Sequence, residues 1–441
     1  MPDRSKIIYP ALSLGILTAA FIIAKTGRDA LFFHGKGIFQ LPLATLTIAA
    51  ASLPLAVLFV KMMKSLGARP ARLALMLFAA AVLGLSAPFL EPGDSLLLFN
   101  IFIFIPAAFG IMFASLWLLA GDLFEAMPKS ESARAFSNIG ASSLAGGMTG
   151  GFIAKAIGPF VEPKWFIFLG ALLILGVFVL VSVTQRKFPS NLTAKKNFQD
   201  KNGGYLAPLK KPYPLMLLLI SMTGALAGLL IDVQFYISAT TANMGAKGNA
   251  NFFANFYIML NFSSLLLQLF ATPKIQDKIG VRGGLMVLPI ALVGGAGFAS
   301  AAATALSLAV LRVTEGGLRS SVHRSIWEQA FIPVDSSERS LVKIAVDGVG
   351  ARIAEGIAAG GLYVWMQGVA PGGVMTQPLD TRWMAWLTLG TVTVWLFITQ
   401  RLQTQTQHAK TSLATTLAAE VECERFPDQC PCTTELGKGI A

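Results

Sequence analysis

Lys64-Ser65-Leu66-Gly67-Ala68-Arg69 and Asp277-Lys278-Ile279-Gly280-Val281-Arg282 are two copies of one pattern, x-x-(Leu/Ile)-Gly-(Ala/Val)-Arg. Each copy is short and basic, and each lies between long apolar runs. The pattern therefore predicts equivalent loops in two related halves. Working outward from both copies, the chain divides into twelve apolar runs: 7–33, 38–62, 71–90, 95–124, 138–160, 165–186, 213–238, 252–272, 284–300, 302–330, 341–367 and 383–401. A spanning helix takes roughly 20 apolar residues. The expected fold is an all-α membrane protein, with twelve transmembrane helices in two six-helix bundles. The first bundle is 1–186, a basic linker follows at 187–212, the second bundle is 213–402, and 403–441 is a polar, flexible tail. Gly203-Gly204 with Pro208, Pro212 and Pro214 keep the linker from being helical.

The composition agrees with this reading. Of 441 residues, 54% are hydrophobic and only 13% charged, against about 25% charged in soluble domains. Mean hydropathy is +0.64. These values exclude an ordinary soluble enzyme, a disordered chain and a disulfide scaffold. The net charge of +12 sits in the gaps between runs, so it reads as positive-inside topology and not as nucleic-acid binding. One set of loops carries Arg4 and Lys6; Lys61, Lys64, Arg69 and Arg72; Lys129 and Arg134; Lys274, Lys278 and Arg282; Arg339 and Lys343; and Arg401. The linker belongs to the same set. The alternate loops carry little. Both termini are expected in the cytoplasm, and the chain is expected as a multi-pass protein of a bacterial inner membrane, in contact with lipid. Arg4 and Lys6 lead into a run too long for a signal-peptide core, so it reads as a retained first span. Cys423, Cys430 and Cys432 lie in the tail. Their spacing admits a metal, but reduced thiols on a cytosolic tail are the simpler reading, and no metal or cofactor is expected.

A charge at the bilayer centre costs about 2.5 kcal/mol or more, so it faces a cavity or a partner. Span one holds Lys25, Arg28 and Asp29 on one face. Span seven holds Asp232. Span ten holds Arg312, Glu315, Arg319 and His323 as one stripe. Span eleven holds Asp347, Arg352 and Glu355. Lys25, Arg28, Arg312, Arg319 and Arg352 are candidate contacts for an anionic substrate. Asp29, Asp232, Glu315, Asp347 and Glu355 are candidates for coupling or gating. For span ten the alternative is a structural ladder, Arg312–Glu315–Arg319. For Asp232 it is service as an ion-pair partner. Lys155 reads as snorkelling. Five cations and five carboxylates cancel, whereas a triphosphate site calls for a positive surplus. Gly146, Gly147, Gly150 and Gly151, and Gly356 with Gly360, read as close helix packing. No phosphate-cradling loop is present. His34, His323 and His408 are too dispersed for an enzyme's constellation.

The paired Gly-(Ala/Val)-Arg loops resemble the Gly-Asp-Arg signature of the major facilitator superfamily. That resemblance implies two six-helix halves rocking about a midplane site, with helices one, four, seven and ten lining the cavity. Spans one, seven and ten, three of those four, carry the charges. A more specific likeness lies between Arg319 and Glu355. Trp327-Glu328-Gln329-Ala330-Phe331-Ile332-Pro333-Val334-Asp335, then Arg339, Lys343 and Ala345-Val346-Asp347-Gly348-Val349-Gly350-Ala351-Arg352, is similar to the ATP/ADP translocase family of plastids and intracellular bacteria. Lys25-Thr26-Gly27-Arg28-Asp29-Ala30-Leu31, Ala133-Arg134-Ala135-Phe136 with Gly140, Leu230-Ile231-Asp232 and Ile279-Gly280 with Leu288-Pro289 are weaker echoes. The resemblance implies a secondary transporter exchanging a nucleotide or nucleotide-like anion, without ATP hydrolysis. Two positions depart from it. Glu355 stands where the family has a functional lysine, and the family's span-four glutamate is absent around Ile103, Phe104 and Ile105. Glu355 points to a substrate less negative than ATP. The alternative is proton- or ion-coupled transport of another small organic anion through Asp232 or Glu315. A membrane enzyme or a receptor is a further class.

Overall fold

The computed structural model describes residues 5–34, 37–93, 95–124, 129–188, 207–240, 245–302, 304–331, 333–334, 342–369 and 382–402. Most of the linker and the cysteine-bearing tail lie outside the described residues. Twelve helical rods fill the described chain, and they are α1 to α12 in order. Six make the first half: α1 Ser5–Phe32, α2 Gly37–Leu66, α3 Ala68–Ser86, α4 Leu96–Phe124, α5 Lys129–Ile157 and α6 Lys164–Lys187. The second half begins with α7 Pro212–Thr240, α8 Gly245–Leu266 and α9 Thr272–Ala301. The last three are α10, which is Ala305–Leu318 continued through Ala330, α11 ending in Ala351–Val369, and α12 at 382–402.

Eight helices are long and apolar enough to cross a membrane by length and composition alone. Among the described residues, α5, α10, α11 and α12 fall outside that measure. Further, α5 starts within its charged, serine-rich N-terminal stretch at Lys129, well before the apolar run at 138–160. The helix is longer than the apolar run at its start because a helix can extend past the hydrocarbon into the polar interface without any apolar signal.

The paired loops have the same backbone device. Gly67 (φ 92°) opens α3, and Gly280 (φ 63°) breaks the α9 rod between its first turns and the span proper. A side chain disfavours positive φ, which explains the glycine in both copies.

Within the first half, α1 is the central rod and packs against α4, α5 and α6. The two glycine pairs of α5 serve different neighbours. Gly146 and Gly150 lie against the α1 backbone at Gly15 and Ala19, while Gly147 and Gly151 lie against Asn261, Ile258 and Ala254 of α8. One pair therefore builds the half, and the other joins the halves. In the second seam, a methyl group added at Gly356 of α11 would meet Leu46 and Ala49 of α2, but one added at Gly360 would meet nothing within 4 Å among the described residues. The expected packing role thus holds for Gly356 and not for Gly360.

Candidate functional site

Lys25 and Asp29 lie one turn apart on α1, and Arg28 is beside Asp29 on the same face. Arg28 donates to Asp29 Oδ1 from Nε at 2.8 Å and from Nη2 at 2.5 Å, and its Nη1 reaches the Phe102 carbonyl at 3.3 Å. The guanidinium sits over the Phe102 ring, 4.1 Å from its centroid. Arg28 and Asp29 are both buried, and Asp29 has no exposed surface. The other carboxylate oxygen, Oδ2, accepts from Tyr257 at 2.6 Å and from Tyr236 at 3.1 Å. Those tyrosines belong to α8 and α7, so this carboxylate is held from both halves. Lys25 points its ammonium at the Tyr257 ring, 4.6 Å from the centroid, and no carboxylate among the described residues pairs with it.

A second cluster lies on α7 and α10. Arg312 is ion-paired with Asp232 of α7 and with Glu315 on its own helix. Glu315 is also paired with Arg319. Arg319 reaches across to the Gly224 carbonyl of α7 at 2.8 Å and sits over the Trp395 ring of α12. The chain Asp232–Arg312–Glu315–Arg319 is thus both the expected ladder and a clamp between α7 and α10. The clamp is not sealed. The Asp232 and Arg319 side chains are 35% and 36% exposed. A charge is costly in hydrocarbon, so these partly exposed groups are the members of the clamp that are candidates to meet water or a solute.

The span-eleven candidates stand apart from both clusters. Arg352 donates to Glu355 at 2.6 Å in a self-contained pair. Asp347 lies in a π-helical stretch, Ile344–Gly350, and accepts from Trp327 Nε1 at 2.8 Å. Lys343 and Glu328 pair beside it. Trp327, Glu328, Lys343 and Asp347 of the motif therefore meet at the α10–α11 corner, while Ile332, Asp335 and Arg339 lie outside the described residues. His323 is buried there, stacked on Trp327 and edge-on to Trp395, a packing role. Lys155 is exposed, as snorkelling requires.

This placement alters the charge balance. With Asp347, Arg352 and Glu355 removed from the centre, Lys25, Arg28, Arg312 and Arg319 face three carboxylates, Asp29, Asp232 and Glu315. One positive charge is left over. By pairing, it belongs to Lys25. Sequence reasoning missed Tyr236 and Tyr257 altogether; their only signal was to be two of just six tyrosines in the chain.

No protein-family model matches the chain, and no curated protein matches it. Solved structures do. The nucleoside transporter NupG superposes with a TM-score of 0.61 at 12% identity, over 89% of this chain and 98% of that one. The POT family transporter PepTSo superposes with a TM-score of 0.64 at 11% identity, over 91% of this chain and 98% of that one. This chain has the major facilitator fold. It is an all-α, multi-pass membrane protein, and its structural neighbours are membrane transporters. In this chain the α1 charges meet α7 and α8, and the α7 and α10 charges meet each other. Neither neighbour is an ATP/ADP translocase.

Proposed function

We propose that this protein is a secondary transporter working by alternating access, and that its substrate is a small organic anion, of nucleotide-like type. The unpaired Lys25 carries this reading. It lies on α1 with its ammonium over the Tyr257 ring of α8, in the other half. A single surplus cation complements one negative charge, not the three or four of a nucleoside triphosphate. Arg319, a third exposed, is the second group available to an anion. Arg28, buried and committed to Asp29, positions its neighbours and does not touch substrate. Exchange of one such anion for another is the expected mode of transport, by analogy with the translocases that the α10–α11 corner resembles.

Uptake into proteoliposomes tests this. Labelled nucleosides, their mono-, di- and triphosphates, and small organic acids are presented to vesicles preloaded with each in turn. Transport of a singly or doubly charged member, lost in Lys25→Gln with the protein still folded, is the expected result. Uptake confined to uncharged solutes, or undiminished in Lys25→Gln, overturns it.

A further inference from the structure

We propose that Asp29 is a latch that holds the two halves shut at the end of the molecule where α1 finishes and α8 begins. This goes beyond the substrate reading and does not depend on it. Asp29 divides its two oxygens between the halves. Oδ1 is taken by Arg28 of its own helix, so that bond survives any rigid movement of α1. Oδ2 is taken by Tyr236 of α7 and Tyr257 of α8, so both of those bonds break when the halves separate. Hydrogen bonds to a charged acceptor in a buried site are the strong kind, and here two of them act at one point.

The surroundings make the point a seal. Phe33 of the chain just after α1 stacks on Tyr236 with centroids 4.4 Å apart, and Phe253 of α8 lies 6.0 Å from Phe33. Phe32 stacks on Phe102 at 3.9 Å. All five rings are buried. The glycine-mediated contact of α5 with α8 runs alongside. The plug is apolar, so it excludes water but has no directionality. The tyrosine hydroxyls supply the directional part: they lie 3.3 Å from each other within the second half, and only in the closed form do both also donate to the Asp29 carboxylate. The sequence separations involved, 207 and 228 residues, show that this bond pair has no part in building either half.

The test uses the full chain with Cys423, Cys430 and Cys432 replaced by serine. Spin labels go on cysteines introduced at Phe160 and Leu306, which are exposed residues of opposite halves at this end. A second labelled pair, Phe89 and Phe160, lies within the first half. In the parent protein the Phe160–Leu306 distance distribution is expected to be dominated by its short component. In Tyr236→Phe/Tyr257→Phe, which removes two hydroxyls and no ring, the ratio of long to short component should rise by about tenfold or more. Tyr257→Phe alone should fall between the two, and it serves if the double variant does not fold. The Phe89–Phe160 distribution should not change. An unchanged Phe160–Leu306 distribution overturns the latch. So does broadening of both pairs together, which would mean that the hydroxyls only stabilise the fold.

Discussion

Arg312 is the residue on which the clamp depends, because it serves two carboxylates at once. Removing it leaves Asp232 without its partner and Glu315 with Arg319 alone; because Asp232 is 35% exposed, the cost falls below the ~3–5 kcal/mol of breaking a fully buried pair. Arg312→Gln should therefore lower the melting temperature in detergent markedly, and adding Asp232→Asn should recover part of the loss. The coupling between these two substitutions should exceed about 1 kcal/mol; additive effects would show that the pair contributes nothing. Arg319→Gln is different. Its side chain is a third exposed, so uptake should fall with little change in thermal stability. Glu355 belongs at this scale too. Its reversed charge, read from sequence, pointed to a weaker demand for phosphate. In the fold it is neutralised by Arg352 at 2.6 Å and is separate from the central cluster. Glu355→Lys should consequently change triphosphate uptake by less than Lys25→Gln changes uptake of the true substrate, measured at equal reconstitution. The charges themselves were legible because spacings of three and four residues put them on one helix face. Their partners Tyr236 and Tyr257 were not, because a hydroxyl in an apolar span carries no periodicity and its acceptor lies more than two hundred residues away.

At the scale of elements, α5 separates assembly of a half from contact between halves. A methyl group added at Gly146 overlaps the Gly15 carbonyl of α1, and one added at Gly147 overlaps the Asn261 side chain of α8. The first obstacle is backbone within one bundle, and the second is a side chain across the seam. Gly146→Ala should reduce the yield of folded protein. Gly147→Ala should fold and instead favour separation of the halves, read as a longer Phe160–Leu306 spin-label distance. Equal loss of fold in both would contradict the division. Small-residue spacing revealed that α5 packs closely on something, but not that its alternate glycines face two different partners. Also hidden were the π-helical stretches Leu267–Ala271, Arg319–His323 and Ile344–Gly350, which all fall in the second half. Such turns shift helical register and recur at functional sites. Here the last two adjoin the Arg319 and Asp347 contacts, and the second brings Asp347 round to Trp327. Extrapolating regular helical spacing along span eleven gave no hint of that contact.

For the whole molecule, the number and order of rods followed from apolar runs, because a bilayer admits few alternatives to helices of a fixed minimum length. The duplicated loops were legible for a backbone reason, since both copies need a glycine at positive φ. Which loops face the cytoplasm rests on lysine and arginine alone, and it decides the direction in which the Asp29 latch works. With the basic loops inside, the latch closes the outer end and the clamp faces inward. The two placements can be separated with single cysteines in the background lacking Cys423, Cys430 and Cys432. Phe160 lies at the latch end and is exposed; Ser65 lies at the opposite end, beside Gly67, and is also exposed. In intact cells an impermeant thiol reagent should label Phe160→Cys and spare Ser65→Cys, with both labelled once the membrane is opened. The reverse pattern would turn the molecule over. The latch and the clamp would keep their geometry, but Lys25 would then meet its anion from the outside, and the positive-inside reading of this chain would have to be given up.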